Sequence, residues 1–180
     1  MFKKLQDFFY AAYRTWLANV LTVCFMIVII IASWDYFWVK RATRYFNNGN
    51  EYREKGDWQS AVAEWKSASE AGKDALLTRS YGGFEAREDA HKAEFNLGLA
   101  YTKGGHGIVE NYQEAAKWYG LAAEGGMPEA QFNLGILYLN GQGVPRNPDK
   151  AVEWIKKSAR QGLKEAKDTL AELGIYDYDN

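Results

Sequence analysis

Hydrophobic positions follow two regimes along the chain. From Thr15 to Trp34 no charge appears, and the run includes Val28-Ile29-Ile30-Ile31; beyond residue 41 apolar residues recur at helical spacing between polar ones. An apolar run of about 20 residues makes a helix roughly 30 Å long, the thickness of a bilayer's hydrocarbon core. Arg14 and Asp35 close the run, while Trp16 on one side and Trp34, Tyr36, Phe37 and Trp38 on the other suit interfacial aromatic belts. The pattern predicts an N-terminal tail over 1–14 and a single transmembrane helix over 15–39.

A cleaved signal peptide is the rival for this segment, because Lys3 and Lys4 precede the apolar core. The run is long for that role, and no A-x-A-like site follows it. Leu21-Thr22-Val23-Cys24 has the outline of a lipoprotein cleavage box, but Val23 is too bulky for its slot. Basic residues flank both ends (Lys3, Lys4 and Arg14 before, Lys40, Arg41, Arg44, Arg53 and Lys55 after), so charge alone does not orient the span. A short basic tail before a first apolar span resembles a signal anchor, so the expected location is a bacterial inner membrane with a periplasmic domain; a cytoplasmic domain is the alternative. At 100° per residue, Asn19, Thr22, Met26 and Ser33 share one face, a set suited to packing against another membrane helix.

The second regime repeats itself. Ala93-Glu94-Phe95-Asn96-Leu97-Gly98-Leu99-Ala100-Tyr101 matches Ala130-Gln131-Phe132-Asn133-Leu134-Gly135-Ile136-Leu137-Tyr138. After a glycine-containing loop, Asn111, Ala115, Trp118, Ala123 and Gly126 recur as Asn147, Ala151, Trp154, Ala159 and Gly162. An earlier copy is in frame: Gly49 and Tyr52 repeat the Gly98/Tyr101 spacing, and Ala61, Trp65, Ala68 and Gly72 that of Ala115, Tyr119, Ala122 and Gly126. Each unit reads as two helices brought close by a small residue, Gly98 or Gly135. Asp57, Asn111 (with Glu114 at the capping-box position) and Asn147 before Pro148 are start signals for the second helix. Gly72, Gly126, Gly162 and Gly174 are its stop signals. No single unit can bury its apolar side, so the units must stack.

Residues 93–174 resemble Sel-like repeats, relatives of tetratricopeptide repeats with a longer loop between the paired helices, through A-[EQ]-F-N-L-G-x-x-Y and A-x-x-W-x-x-x-[AS]-A-x-x-G. Residues 42–75 are closer to an ordinary tetratricopeptide unit, with Gly49, Tyr52, Gly56, Trp58, Ala61, Trp65 and Ala68 in place and Lys73 where a proline is usual. The expected architecture is all-α: a transmembrane helix followed by a short α-solenoid. Its parts are a tetratricopeptide-like unit over 40–72, an insert over 73–92, Sel-like repeats over 93–129 and 130–165, and a capping helix with an acidic tail over 166–180. The insert, with Tyr81-Gly82-Gly83-Phe84, is expected as a loop or displaced helix that binds a partner or covers a seam. The resemblance also implies that the first helix of each pair lines a concave, protein-binding face. That places Asn47, Asn96 and Asn133 in a row of amides which either grip a peptide backbone or tie adjacent repeats together, with Leu99, Lys103, Ile136 and Asn140 continuing the face.

Charge narrows the partner. Past residue 41 Asp and Glu outnumber Lys and Arg by 21 to 17, which disfavours nucleic acid. The lone cysteine, Cys24, lies in the apolar run and names no compartment. His91 and His106 stand apart with no cysteine near, so no metal site is expected. Gly104-Gly105-His106-Gly107 lacks the Gly-Lys-Ser/Thr of a phosphate loop and occupies the glycine loop of a repeat. No catalytic or cofactor-binding constellation is found. The expected function is a non-catalytic, membrane-anchored scaffold: an accessory subunit or assembly factor of an integral membrane complex, in contact with other subunits and with membrane lipid. The alternatives are an envelope enzyme or carbohydrate-handling protein, which requires a carboxylate pair facing one pocket, and an anchor that forms homo-oligomers through Asn19, Thr22, Met26 and Ser33.

Overall fold

The structure, a computed structural model, describes residues 2–74 and 81–177, apart from the side chains of residues 2–12, 15, 18, 31, 32, 34–39, 74 and 81–83. The described residues form seven helices: α1 (Phe2–Glu54), α2 (Trp58–Asp74), α3 (Tyr81–Lys103), α4 (Tyr112–Glu124), α5 (Pro128–Asn140), α6 (Pro148–Arg160) and α7 (Lys164–Glu172). They divide into two units, residues 1–37 and 38–180.

The first unit corrects the membrane expectation. Among the described residues no helix is long and apolar enough to cross a membrane, which counts against the single-pass inner-membrane location and leaves the lipid contact and the membrane complex without support. Asn19, Thr22, Met26 and Ser33 are all exposed, as are Trp16, Leu21 and Phe25. The belt residues Trp34, Tyr36, Phe37 and Trp38 have side chains outside the described set.

The second unit is the expected stack of helix pairs. The small residues of the repeat decide how close the helices come. A Cβ on Gly49 would lie 2.5 Å from the Trp65 ring, one on Gly98 2.5 Å from the Tyr119 ring, and one on Gly135 2.6 Å from Ile155. All three separations are far inside van der Waals contact, so each glycine is the seat of one large side chain from the paired helix. Trp65, Tyr119 and Ile155 are fully buried, and alanines 61, 68, 115, 122, 151 and 159 fill the remaining seams.

Helix ends follow the expected signals with two exceptions. Asn111 Oδ1 accepts from the backbone N–H of Gln113 (3.0 Å) and Glu114 (3.1 Å), and Asn147 Oδ1 from that of Lys150 (3.0 Å). Gly126, Gly162 and Gly174 are left-handed. The capping box is different: the Glu114 carboxylate turns to accept from Trp118 Nε1, 3.0 Å away and one turn on. Gly72 does not stop its helix. α2 continues to Asp74, and Gly72 is the site where Ala90 of α3 packs, with no room for a Cβ.

The insert is largely helical. α3 runs unbroken from Tyr81 to Lys103, so the boundary expected at residue 93 falls inside a helix; residues 75–80 lie outside the described residues. Buried Glu94 ties this extension to α2, accepting 2.6 Å from Ser69 Oγ and pairing with His91 Nδ1 at 2.9 Å. At the equivalent place in the next repeat, buried Gln131 donates to the Ala123 carbonyl (3.1 Å) and accepts from Gln161 (2.8 Å). The Glu-or-Gln position of the repeat pattern is thus a polar rivet between successive helices.

Candidate peptide-binding groove

Two sizeable grooves, among the described residues, border α3. The first, of about 450 Å³, lies where α1 ends, α2 begins and α3 ends, and it is lined by Arg53, Trp58, Trp65, Asn96, Leu99, Ala100, Lys103, Gly104 and His106. Three of the residues expected on the concave face, Asn96, Leu99 and Lys103, meet here. The other four do not line it. Asn47 is exposed on α1; Asn133 bonds the Tyr119 hydroxyl; half-buried Ile136 packs on the core around Ile155 and Leu170; Asn140 Nδ2 donates to Gln142 at 3.2 Å.

The row of amides is therefore mixed in role. Asn96 donates to Asn50 Oδ1 at 3.3 Å, tying α3 to α1, and still borders the groove. Asn133 serves the fold through its bond to Tyr119.

Arg53, Trp58, Trp65 and His106 were not expected at a site. His106 lies in the loop after α3, where Gly104, Gly105, His106 and Gly107 all have positive φ; it is the one non-glycine among the described residues to do so, at 52°. A bulky residue there carries a backbone cost of about 1 kcal/mol or more. What holds it is visible: the imidazole stacks on Trp58 with ring centroids 5.3 Å apart and planes 14° from parallel. A Cβ on neighbouring Gly107 would lie 3.0 Å from the Gln59 amide. The glycine loop thus folds back over the start of α2, and its sequence signal was a histidine in a place where glycine costs nothing.

The electrostatics of this groove are one-sided. Arg53 and Lys103 line it together, and no carboxylate does. Glu110 approaches the loop at Gly104 without entering the lining. Trp65, 1 % exposed, also has an indole Nε1 with no hydrogen-bond partner among the described residues, a state that costs about 1–3 kcal/mol for a buried donor.

The next junction along the stack is built on the same plan with different chemistry. In the repeat register Arg53, Trp58, Trp65, Lys103 and His106 correspond to Thr102, Tyr112, Tyr119, Asn140 and Gln142. Its loop folds back in the same way, Gly143 pressing on the backbone of Tyr112 and Gln113 at the start of α4. Here the polar groups satisfy one another. Thr102 Oγ1 donates to the Gly98 carbonyl at 2.8 Å and approaches the Tyr119 hydroxyl at 3.3 Å, which Asn133 also bonds. Burial pushes the Tyr119 hydroxyl above the ordinary phenol value, and these two bonds partly offset that rise.

The second groove, of about 580 Å³, is larger and runs from the first half of α3 to the α4–α5 turn, with Phe84, Arg87, Glu88, His91, Lys92, Met127 and Pro128 among its lining. Its charges are already engaged: Arg87 lies 4.6 Å over the Phe84 ring, and Lys92 pairs with Glu88 at 2.7 Å and Asp89 at 3.7 Å. Neither groove is lined by the carboxylate pair required of the envelope-enzyme or carbohydrate-handling alternative, and among the described residues no three His, Cys, Asp or Glu side chains gather to hold a metal ion.

Comparison with known proteins agrees with this construction. A Sel1 repeat protein of known structure from Oxalobacter formigenes superposes with a TM-score of 0.58 at 28% identity, over 73% of this chain and 88% of that one. Chitin synthase regulatory factor 3 of Schizosaccharomyces pombe is 36% identical over 91 residues, 50% of this chain and 10% of that protein. The HRD3B component of an ERAD-associated E3 ubiquitin-protein ligase of Arabidopsis thaliana is 44% identical over 57 residues, 31% of this chain and 9% of that protein. The chain thus spans about a tenth of the length of these curated relatives. Residues 91–127, the later part of α3 with α4, and residues 128–163, α5 with α6, each match the Sel1 repeat model.

Proposed function

We propose that the chain is a non-catalytic adaptor that holds a segment of a partner protein in the groove between α1, α2 and α3. The observation that carries this is the meeting of Asn96, Leu99 and Lys103 with Arg53 and the Trp58–His106 stack around one groove of about 450 Å³, large enough for two or three side chains. The relatives give support: one is a regulatory factor and one a component of a larger ligase, and Sel1 repeat scaffolds are generally binding modules.

The test is site-specific photo-crosslinking in the source cell. A benzophenone amino acid at Leu99 is expected to capture a defined partner, while the same group at Glu153, on the exposed side of α6, captures none. Capture of the same partner from both positions, or from neither, would overturn the adaptor function.

A further inference from the structure

We propose that the groove recognises an acidic stretch of its protein partner, one carboxylate being met by Arg53 and Lys103 while a neighbouring apolar side chain lies against the Trp58–His106 wall. The proposal rests on the adaptor reading and adds the chemistry of the segment that is bound.

Three observations converge on this ligand. First, the charge is local and of the opposite sign to its surroundings. Arg53 and Lys103 border the groove with no carboxylate in the lining, although acidic residues outnumber basic ones over this part of the chain. Neither cation forms an ion pair among the described residues, so both charges are open to a ligand. A cation pair held at one place attracts an anion and rejects a basic segment, so it sets specificity as well as affinity.

Second, the charge does not belong to the repeat. At the corresponding places of the next junction stand Thr102 and Asn140, both neutral and both hydrogen-bonded within the chain. Had the cations been needed to close a junction between helix pairs, the neighbouring junction would need them too.

Third, the wall beside the cations is aromatic and held at a backbone cost. His106 stays at a φ of 52° and stacks on Trp58, where its counterpart Gln142 merely accepts from Asn140. Two stacked rings give a flat apolar surface beside the charge, which suits a carboxylate next to an aromatic or aliphatic residue better than an isolated anion.

Selection of a phage-displayed heptapeptide library on the full chain tests this without presuming a sequence. Enriched peptides are expected to share an Asp or Glu beside an aromatic or aliphatic residue. Replacing that acid by its amide should weaken binding about tenfold, as should Arg53→Gln or Lys103→Gln in the protein. The exposed Lys164→Gln, on α7, should change nothing. Peptides enriched without an acidic residue, or held equally well by Arg53→Gln/Lys103→Gln, would overturn the proposal, as would no enrichment at all. The adaptor reading fails separately, on the crosslinking at Leu99: a partner captured there whose binding ignores both cations refutes the acidic ligand and leaves the adaptor standing.

Discussion

Two junctions of one stack share a backbone plan and divide sharply in how their polar atoms are satisfied. Between α3, α4 and α5, a buried tyrosine has its hydroxyl bonded by Thr102 and Asn133, and the long loop is pinned at Gly143. Between α1, α2 and α3, a buried tryptophan has an unpartnered indole N–H, two cations line the surface without an acid, and a histidine is held in a left-handed turn. Buried polar groups left unmatched are costly, so a repeat that matches them is optimised for folding. The unmatched junction carries its cost for another reason, and a ligand supplies one. In a linear array, where each unit touches only its neighbours, one junction can be given over to binding while the next supplies stability.

The largest effects are expected from the seats of the large side chains. Tyr119→Ala would open a cavity in the matched junction and should cost about 3–5 kcal/mol in chemical denaturation. Gly98→Ala overfills the same site, because the Tyr119 ring sits 2.5 Å from where the methyl would go. Overpacking should outweigh the better helix propensity of alanine and cost about 1–3 kcal/mol. A neutral or stabilising Gly98→Ala would show that the two helices can part at little cost, and the close approach would lose its meaning.

A finer contrast separates the junctions by their polar atoms. Tyr119→Phe removes a hydroxyl that is bonded on both sides and should cost about 1 kcal/mol, leaving Thr102 and Asn133 short of a partner. Arg53→Gln and Lys103→Gln remove charges that pair with nothing among the described residues, and each should change stability by less than about 0.5 kcal/mol. Should Lys103→Gln destabilise the chain as much as Tyr119→Phe, the cations would belong to the fold after all, and the difference between the junctions would be one of degree.

How much of this was legible in the sequence depends on periodicity. The glycine–aromatic pairs, the Asn caps and the Glu/Gln rivet recur at a fixed register, and self-comparison exposes whatever recurs. Asn96, Leu99 and Lys103, the expected concave residues that meet at the groove, came from the same register. Arg53 and His106 did not, since they are departures from the repeat: a pattern that identifies the consensus discounts the residues that leave it. Gly72 misled for a related reason. Its spacing matched that of the helix-ending Gly126, but the extra helical turns before residue 93 put Ala90 against it, and the same small residue serves close packing instead of a left-handed cap. The N-terminal apolar run misled differently: the count of uncharged residues met the length of a span, but among the described residues no helix is long and apolar enough to cross a membrane.

The smallest expected effect distinguishes the junctions by acid. α4 and α6 are capped by asparagine, which does not titrate, but α2 is capped by Asp57, whose carboxylate accepts from the Ser60 N–H at 3.0 Å and hydroxyl at 2.6 Å. These bonds, the hydroxyl's foremost, hold the Asp57 carboxyl below its ordinary value of about 3.9. A carboxyl whose value is depressed on folding stabilises the folded state above the unfolded value and ceases to do so as pH falls through the folded one. Below about pH 4, amide exchange at the first turn of α2 should therefore quicken relative to the first turns of α4 and α6. Asp57→Asn should remove the pH dependence while keeping the cap. If all three first turns loosened together in acid, Asp57 would not be the cause, and the first junction would be no more sensitive to acid than the second.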